Sequence, residues 1–311
     1  MREDPTWSSE LSSTKNAMSE PLPHVPPPES ALAIICGAGT LPFALADAAR
    51  KRGRRVVLFA LRGWADPQRV EAYPHHWTWM GQLERFMRIA ADEGCRDVAF
   101  IGSVTRPSLW KIRPDLRVLR LMPQLIRIFR GGDDHLQSGI GRLFEQHGFR
   151  LVGPKEIAPE LIMPLGPLGS RLPSEQDRAD IALGLALLNA TSPFDIGQAV
   201  VVANNHVLAV EGPEGTDRTL ARVAELRRNG RFRSSSGAGV LVKAAKIGQD
   251  QRIDLPTIGP RTIEGVAAAR LAGVAVVAGS TIVAEPELIA STADRAKLFV
   301  TGVEASGIAA P

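Results

Sequence analysis

Ala31-Leu32-Ala33-Ile34-Ile35-Cys36-Gly37-Ala38-Gly39 is an apolar run closed by a glycine turn. A continuous apolar run bounded by glycines suits a strand buried on both faces. Leu41 to Arg52 follows with Leu41, Leu45, Ala48 and Ala49 on one helical face, and Gly53 ends it. The unit then repeats. Arg55 to Leu61 reads as a second strand, Leu83 to Glu93 as a helix stopped by Gly94, and Asp97 to Ile101 as a third strand. Strands alternating with helices at this spacing build parallel βαβ units with right-handed crossovers. Helices over Leu116 to Arg130 and His135 to His147 and a strand over Arg150 to Gly153 complete the expectation. Residues 30–153 are therefore read as a Rossmann-like α/β domain with its ligand crevice at the carboxyl ends of the strands.

Outward from this domain the composition changes. Residues 1–29 are rich in Ser, Pro and Glu and cannot bury much apolar surface, so a disordered tail is expected. Residues 154–173 carry Pro154, Pro159, Pro164, Pro167 and Pro173 and read as an interdomain linker. A second, distinct α/β domain is expected over 174–304, with a short tail at 305–311. It begins with a helix from Glu175 to Asn189. A hairpin follows, Ala199 to Ala203 and His206 to Val210, turning at Asn204-Asn205, residues that tolerate positive φ. Then come a helix (Asp217 to Arg228), a strand (Gly239 to Lys243), a helix (Thr262 to Ala272), strands at Gly273 to Val277 and Thr281 to Ala284, a helix (Pro286 to Arg295) and a strand (Leu298 to Thr301).

Composition excludes several function classes. The chain has 311 residues, 44% of them hydrophobic and 23% charged, as a packed globular protein has. Aromatic residues are only 5%, which argues against base stacking on single-stranded nucleic acid. The net charge of +4 is too small to imply DNA binding, but suits an anionic ligand or an anionic membrane surface. Cys36 and Cys95 have no CxxC neighbour, so neither a disulfide framework nor a zinc site is expected and a reducing cytoplasm is the natural setting. No window is long and apolar enough for a transmembrane helix. The histidines, at positions 24, 75, 76, 135, 147 and 206, form no ligand spacing, and His75-His76 reads as part of a Trp-rich loop.

Chemistry therefore falls to Asp, Glu, Thr and Lys. Ile253-Asp254-Leu255-Pro256-Thr257-Ile258-Gly259-Pro260 sets one acid among apolar residues, where a carboxylate is costly without a partner. Lys243 and Lys246 lie just upstream as point-charge partners for phosphate. Glu211-Gly212-Pro213-Glu214-Gly215-Thr216-Asp217 joins a strand to a helix. Thr216 or Asp217 caps that helix on one reading. On the other, the helix start offers amides to a phosphate while Glu214 and Asp217 bind Mg²⁺ through oxygen. Gly37, Gly39 and Thr40 sit where a dinucleotide fingerprint would sit, but Pro42 takes its third glycine position and no acid ends the second strand. That disfavours a nicotinamide cofactor and leaves backbone amides for a phosphate or uracil. Gly102-Ser103-Val104-Thr105-Arg106-Pro107 places hydroxyls and Arg106 at the same sheet edge. Gly132-Asp133-Asp134-His135 offers metal-ligand oxygens or a helix cap. Without a serine elbow, P-loop or HExxH, the pattern points to Mg²⁺-assisted displacement at phosphorus.

These motifs, together with Asp195-Ile196-Gly197-Gln198, stand in the order and separations of a known family. From about residue 31 to 303 the chain resembles the UDP-2,3-diacylglucosamine pyrophosphatases of lipid A biosynthesis, the alphaproteobacterial type unrelated to calcineurin-like phosphoesterases. The resemblance implies a Rossmann-like N-terminal half, a distinct α/β C-terminal half, and a homodimer with the nucleotide-lipid held between the domains. It implies Mg²⁺-dependent hydrolysis of UDP-2,3-diacylglucosamine to UMP and 2,3-diacylglucosamine 1-phosphate. The family's essential aspartate falls on Asp254. Roles elsewhere follow from residue chemistry: Asp217 and Glu214 join Asp254 as metal ligands. Gly37, Gly39, Thr40, Arg106 and Gln198 contact substrate, as do Gly215, Thr216, Lys243, Lys246 and Thr257. The apolar passage from Ile157 to Leu172 helps line an acyl groove, and peripheral contact with the cytoplasmic face of the inner membrane is expected. Three rivals stay open: a nucleotide-lipid carrier without turnover, a Rossmann oxidoreductase, and a structural or regulatory dimer with no small ligand.

Overall fold

The computed structural model describes residues 30–104, 133–232 and 237–305. The tails expected at 1–29 and beyond 305, the helix expected over Leu116 to Arg130, Arg106 and Gly132 lie outside them. Two sheets divide the described chain. In the first half β1 (Ala31–Cys36), β2 (Val56–Leu61), β3 (His75–Thr78), β4 (Cys95–Ile101) and β5 (Arg150–Leu151) pair in the order β3-β2-β1-β4-β5. Every neighbouring pair is parallel. This is the doubly wound order, which reverses between β1 and β4.

The apolar runs read from the sequence are the central strands, and β2 is buried along its whole length. Helices α1 (Leu41–Lys51), α3 (Leu83–Asp92) and α4 (Asp133–Gln146) and the short α2 (Pro67–Val70) surround the sheet. Phe43, Leu45 and Ala49 of α1 pack on one face with Leu32, Ile34 and Leu58; Phe86, Leu143 and Phe144 pack on the other with Ala33, Val57 and Phe59. His75 and His76 are not in a loop. They pair with Leu58 and Phe59 in β3, where the open edge of β2 recruits the Trp-rich segment as a strand. The His76 Nε2 lies 2.7 Å from a Glu93 carboxylate oxygen, so this histidine is a structural partner. At the reversal point the loops after β1 and β4 are joined by an antiparallel bridge between Ala38 and Ser103. Gly37 is required there, because a Cβ would stand 2.9 Å from the Gly102 carbonyl.

The passage expected as a linker is built into both halves instead. It contains α5 (Pro154–Ile157) and β6 (Gly166–Pro167). Ile157 and Ala158 belong to the first core and Met163 to the second. Its prolines forbid a central strand but allow an edge one, and β6 pairs antiparallel with β13 (Phe299–Val303).

The second half consists of α6 (Glu175–Thr191), β7 (Ala199–Ala203), β8 (His206–Val210), α7 (Thr216–Arg228), β9 (Val240–Lys243), α8 (Pro260–Ala268), β11 (Gly273–Val277) and α9 (Pro286–Ala296). Its sheet runs β6-β13-β11-β9-β7-β8, with β10 (Thr257–Ile258) and β12 (Ile282–Val283) forming a separate parallel pair. Strands β9, β11 and β13 are parallel, and β7 and β8 are antiparallel. Ser174 and Asp177 form a capping box that starts α6. One turn further on, the buried Asp180 accepts the amides of Asn204 and Asn205 at 3.0 and 2.7 Å. Both asparagines have positive φ, so the helix holds the hairpin turn in the conformation that their side chains tolerate.

Gly302 tests the integration of β6. A Cβ at this position would overlap the carbonyl oxygen of Pro164. Gly302→Ala is expected to lower the unfolding free energy by about 3 kcal/mol in urea denaturation, because overpacking against backbone has no side chain to yield. A peripheral linker would give a loss within about 0.5 kcal/mol.

Candidate active site

The topology of the second sheet gathers polar residues at one edge. Strand β9 ends at Lys243, which pairs with Ala199 at the start of antiparallel β7. The residue before β7, Gln198, and the residue after β8, Glu211, therefore reach the edge where β9 stops. Glu211 is buried, and its carboxylate accepts the backbone N–H of Gln198 at 3.0 Å and the hydroxyl of Thr216 at 2.7 Å. Thr216 opens α7 behind Gly215, whose φ of 81° lets the chain turn into the helix.

Lys243 projects into this cluster. Its ammonium donates to the Thr216 hydroxyl and to the Thr257 carbonyl, each at 3.0 Å. Burial pulls its pKa below the ordinary lysine value, while the charges of Glu211, Asp254 and Asp217 act in the opposite sense. The Lys243 amine thus lies beneath the floor of the site rather than at the surface.

Asp254 lies between β9 and β10 on a loop that folds back on itself, with its N–H donating to the Asp250 carbonyl at 3.1 Å. One of its carboxylate oxygens, Oδ2, accepts the side-chain amides of Gln198, at 3.1 Å, and of Gln249. The two glutamines are themselves joined, Gln198 Nε2 donating to Gln249 Oε1 at 3.1 Å. The outer side of the loop meets the first half of the chain. Arg252 donates to Glu145 at 2.7 Å, Lys155 to Gln251 at 2.8 Å, and Gly153 backs directly onto the Arg252 backbone.

Gln198, Thr216, Lys243, Asp254 and Thr257 are thus brought together, with Gly215 alongside. Lys246 sits beside them and pairs with Asp195. The expected metal set is dispersed. Asp217 is exposed and pairs with Arg261 at 2.9 Å, and Glu214 lies 3.5 Å from Arg222. Both acids flank the start of α7 and point to arginines on α7 and α8. Among the described residues no group of three or more His, Cys, Asp or Glu forms a metal cage. Gly37, Gly39 and Thr40 stand at the carboxyl edge of the other sheet. Glu211 and Gln249 were not singled out from the sequence. Glu211 lies in the same acidic stretch as Glu214 and was distinguishable only as the first residue after a strand. Gln249 carries no signal of its own.

Comparison with known proteins places both halves. Residues 31–161 match the family model described as the LpxI N-terminal domain, and residues 164–301 the LpxI C-terminal domain. The chain is 40% identical over 273 residues to a protein of Caulobacter vibrioides named UDP-2,3-diacylglucosamine pyrophosphatase LpxI. The match covers 88% of this chain and 97% of that relative.

Lys243→Met keeps the apolar stem but leaves Glu211 buried without the ammonium. A loss of roughly 1–3 kcal/mol is expected in urea denaturation, the cost of leaving the Thr216 hydroxyl and the Thr257 carbonyl without their donor. A loss below about 0.5 kcal/mol would show that the ammonium does not hold these groups.

Proposed function

Because the chain belongs to the LpxI family, we propose that it hydrolyses the diphosphate of UDP-2,3-diacylglucosamine to UMP and 2,3-diacylglucosamine 1-phosphate. The observation that carries the reading is Asp254, half-buried at the sheet edge with one carboxylate oxygen held by two neutral amides. Neutral donors orient the carboxylate and leave its charge in place. Water adds its oxygen to phosphorus, the bridging P–O bond breaks, and both products leave as phosphate monoesters. Asp254 orients the attacking water and accepts its proton in this scheme. Lys243 supplies a fixed positive potential below the phosphates, and the amides that open α7 are donors for phosphate oxygens.

We also propose dependence on Mg²⁺. The described residues do not make a protein cage, but Mg²⁺ is commonly held by one or two carboxylates with substrate phosphates and water, and Asp254 fits as that single carboxylate. When bound, the ion would neutralise charge developing on the diphosphate. The remaining parts of the reading are a homodimer and peripheral contact with the inner membrane, where the lipid substrate resides. No described helix is long and apolar enough to cross a membrane.

The 311-residue chain with UDP-2,3-diacylglucosamine and Mg²⁺ should release UMP, and EDTA should stop it. Asp254→Ala should keep substrate binding and lower turnover by roughly 10²–10⁴-fold, the range for a positioned proton acceptor. Turnover within a few-fold of the unsubstituted chain would remove Asp254 from the reaction. Binding without any UMP release would make the protein a carrier.

A further inference from the structure

We infer that Gln249 is a positioning residue for this reaction, clamping Oδ2 of Asp254 together with Gln198 and so fixing the plane of the carboxyl group. The inference rests on the reading of Asp254 given above.

Gln249 is buried, with 7% of its surface exposed. Both ends of its amide are committed. Its oxygen accepts the Lys246 backbone N–H and the Gln198 side-chain nitrogen, each at 3.1 Å. Its nitrogen donates to Asp254 Oδ2. Turning the amide over would set its oxygen against the carboxylate and its nitrogen against two N–H donors, so the partners fix one orientation. Gln198 is fixed at its backbone. Its N–H donates to Glu211 at 3.0 Å and its carbonyl accepts the Ala244 N–H at 3.1 Å.

The consequence is directional. A carboxylate on a single rotatable side chain can turn about its last bond, and each turn moves the atom that faces substrate. Two donors converging on one oxygen from different chain segments remove that freedom. A misplacement of about 1 Å at a reacting group can cost on the order of 10²-fold in rate. An arginine or lysine at position 249 would also hold the oxygen, but it would neutralise the charge that the reaction needs. A buried glutamine holds it without doing so.

Gln249→Met keeps the length and removes the donor; Gln249→Glu keeps the shape and sets a second carboxylate against the first. Melting temperature, kcat and KM for UMP release are measured for both, and Gln249→Met is repeated in an Asp254→Asn background. The expected result is KM within about two-fold of the unsubstituted chain. On the scale of the positional penalty above, kcat falls roughly 10–100-fold for Met and further for Glu. With Asn at 254 the Met substitution should add no further loss, since the effect passes through Asp254. Three results overturn the inference: kcat within two-fold of the unsubstituted chain in both variants, a raised KM with kcat unchanged, or an equal fractional loss in the Asp254→Asn background. If Gln249→Met does not fold, the near-isosteric Glu variant decides alone, and kcat within two-fold of the unsubstituted chain there is equally fatal. Absence of UMP release by the unsubstituted chain would overturn the functional reading itself, and the inference with it.

Discussion

The ammonium of Lys243 is buried where β9 ends, and a buried cation is stable only if its surroundings replace water. Three segments do so. The start of α7 brings the Thr216 hydroxyl and the start of β10 the Thr257 carbonyl as direct partners, while the loop after β8 brings Glu211, which accepts that hydroxyl and adds opposite charge. The loop after β8 and the start of α7 are held by the sheet, since β7 and β8 form a hairpin whose open end faces the end of β9, and β10 is held by its pairing with β12. The cation therefore sets the spacing between segments that are far apart in sequence. Removing it would leave the Thr216 hydroxyl and the Thr257 carbonyl without their donor and take an opposite charge away from Glu211.

Asp254 extends the same cluster toward the first half of the chain. Its loop is anchored inward by Gln198 and Gln249 and outward by Arg252, which is shared between Asp250 and Glu145. Single exposed ion pairs contribute little to stability. Here they act on geometry, because one arginine links the turn of its own loop to a helix of the other half. The position of Asp254 thus depends on how the two halves sit together, although Gln198 and Gln249, which donate to its carboxylate, belong to the second half.

The first half of the fold could be read from the sequence because its strands are buried on both faces and announce themselves as apolar runs. Asn204-Asn205 was legible for a related reason: local backbone chemistry dictates the turn. The linker reading of residues 154–173 differed from the structure because prolines signal irregular backbone but do not reveal an available sheet edge. His75 and His76 entered β3 in the same way, through pairing offered by a distant strand. At the site, Asp254, Lys243, Thr216 and Gln198 stood out as chemical types at strand and helix ends. Glu214 and Asp217 stood out equally, yet they face outward to arginines. Which acid of 211, 214 and 217 turns inward is decided by the hairpin register of β7 and β8, and no local pattern carries that register.

The committed charges explain what the site still needs on the proposed reading. A carboxylate brought up to a diphosphate is repelled by it, and positive charge must lie between or beneath them. Lys243 lies beneath, fixed by Thr216 and Thr257. Lys246 is engaged with Asp195 at the rim. Neither replaces a cation that travels with the substrate's own phosphate oxygens, and among the described residues no group of acids forms a separate cage to retain one. A site organised in this way would acquire its Mg²⁺ with its substrate. Neutral amides on Asp254 Oδ2 suit that arrangement, because they orient the carboxylate without weakening its attraction for the incoming cation.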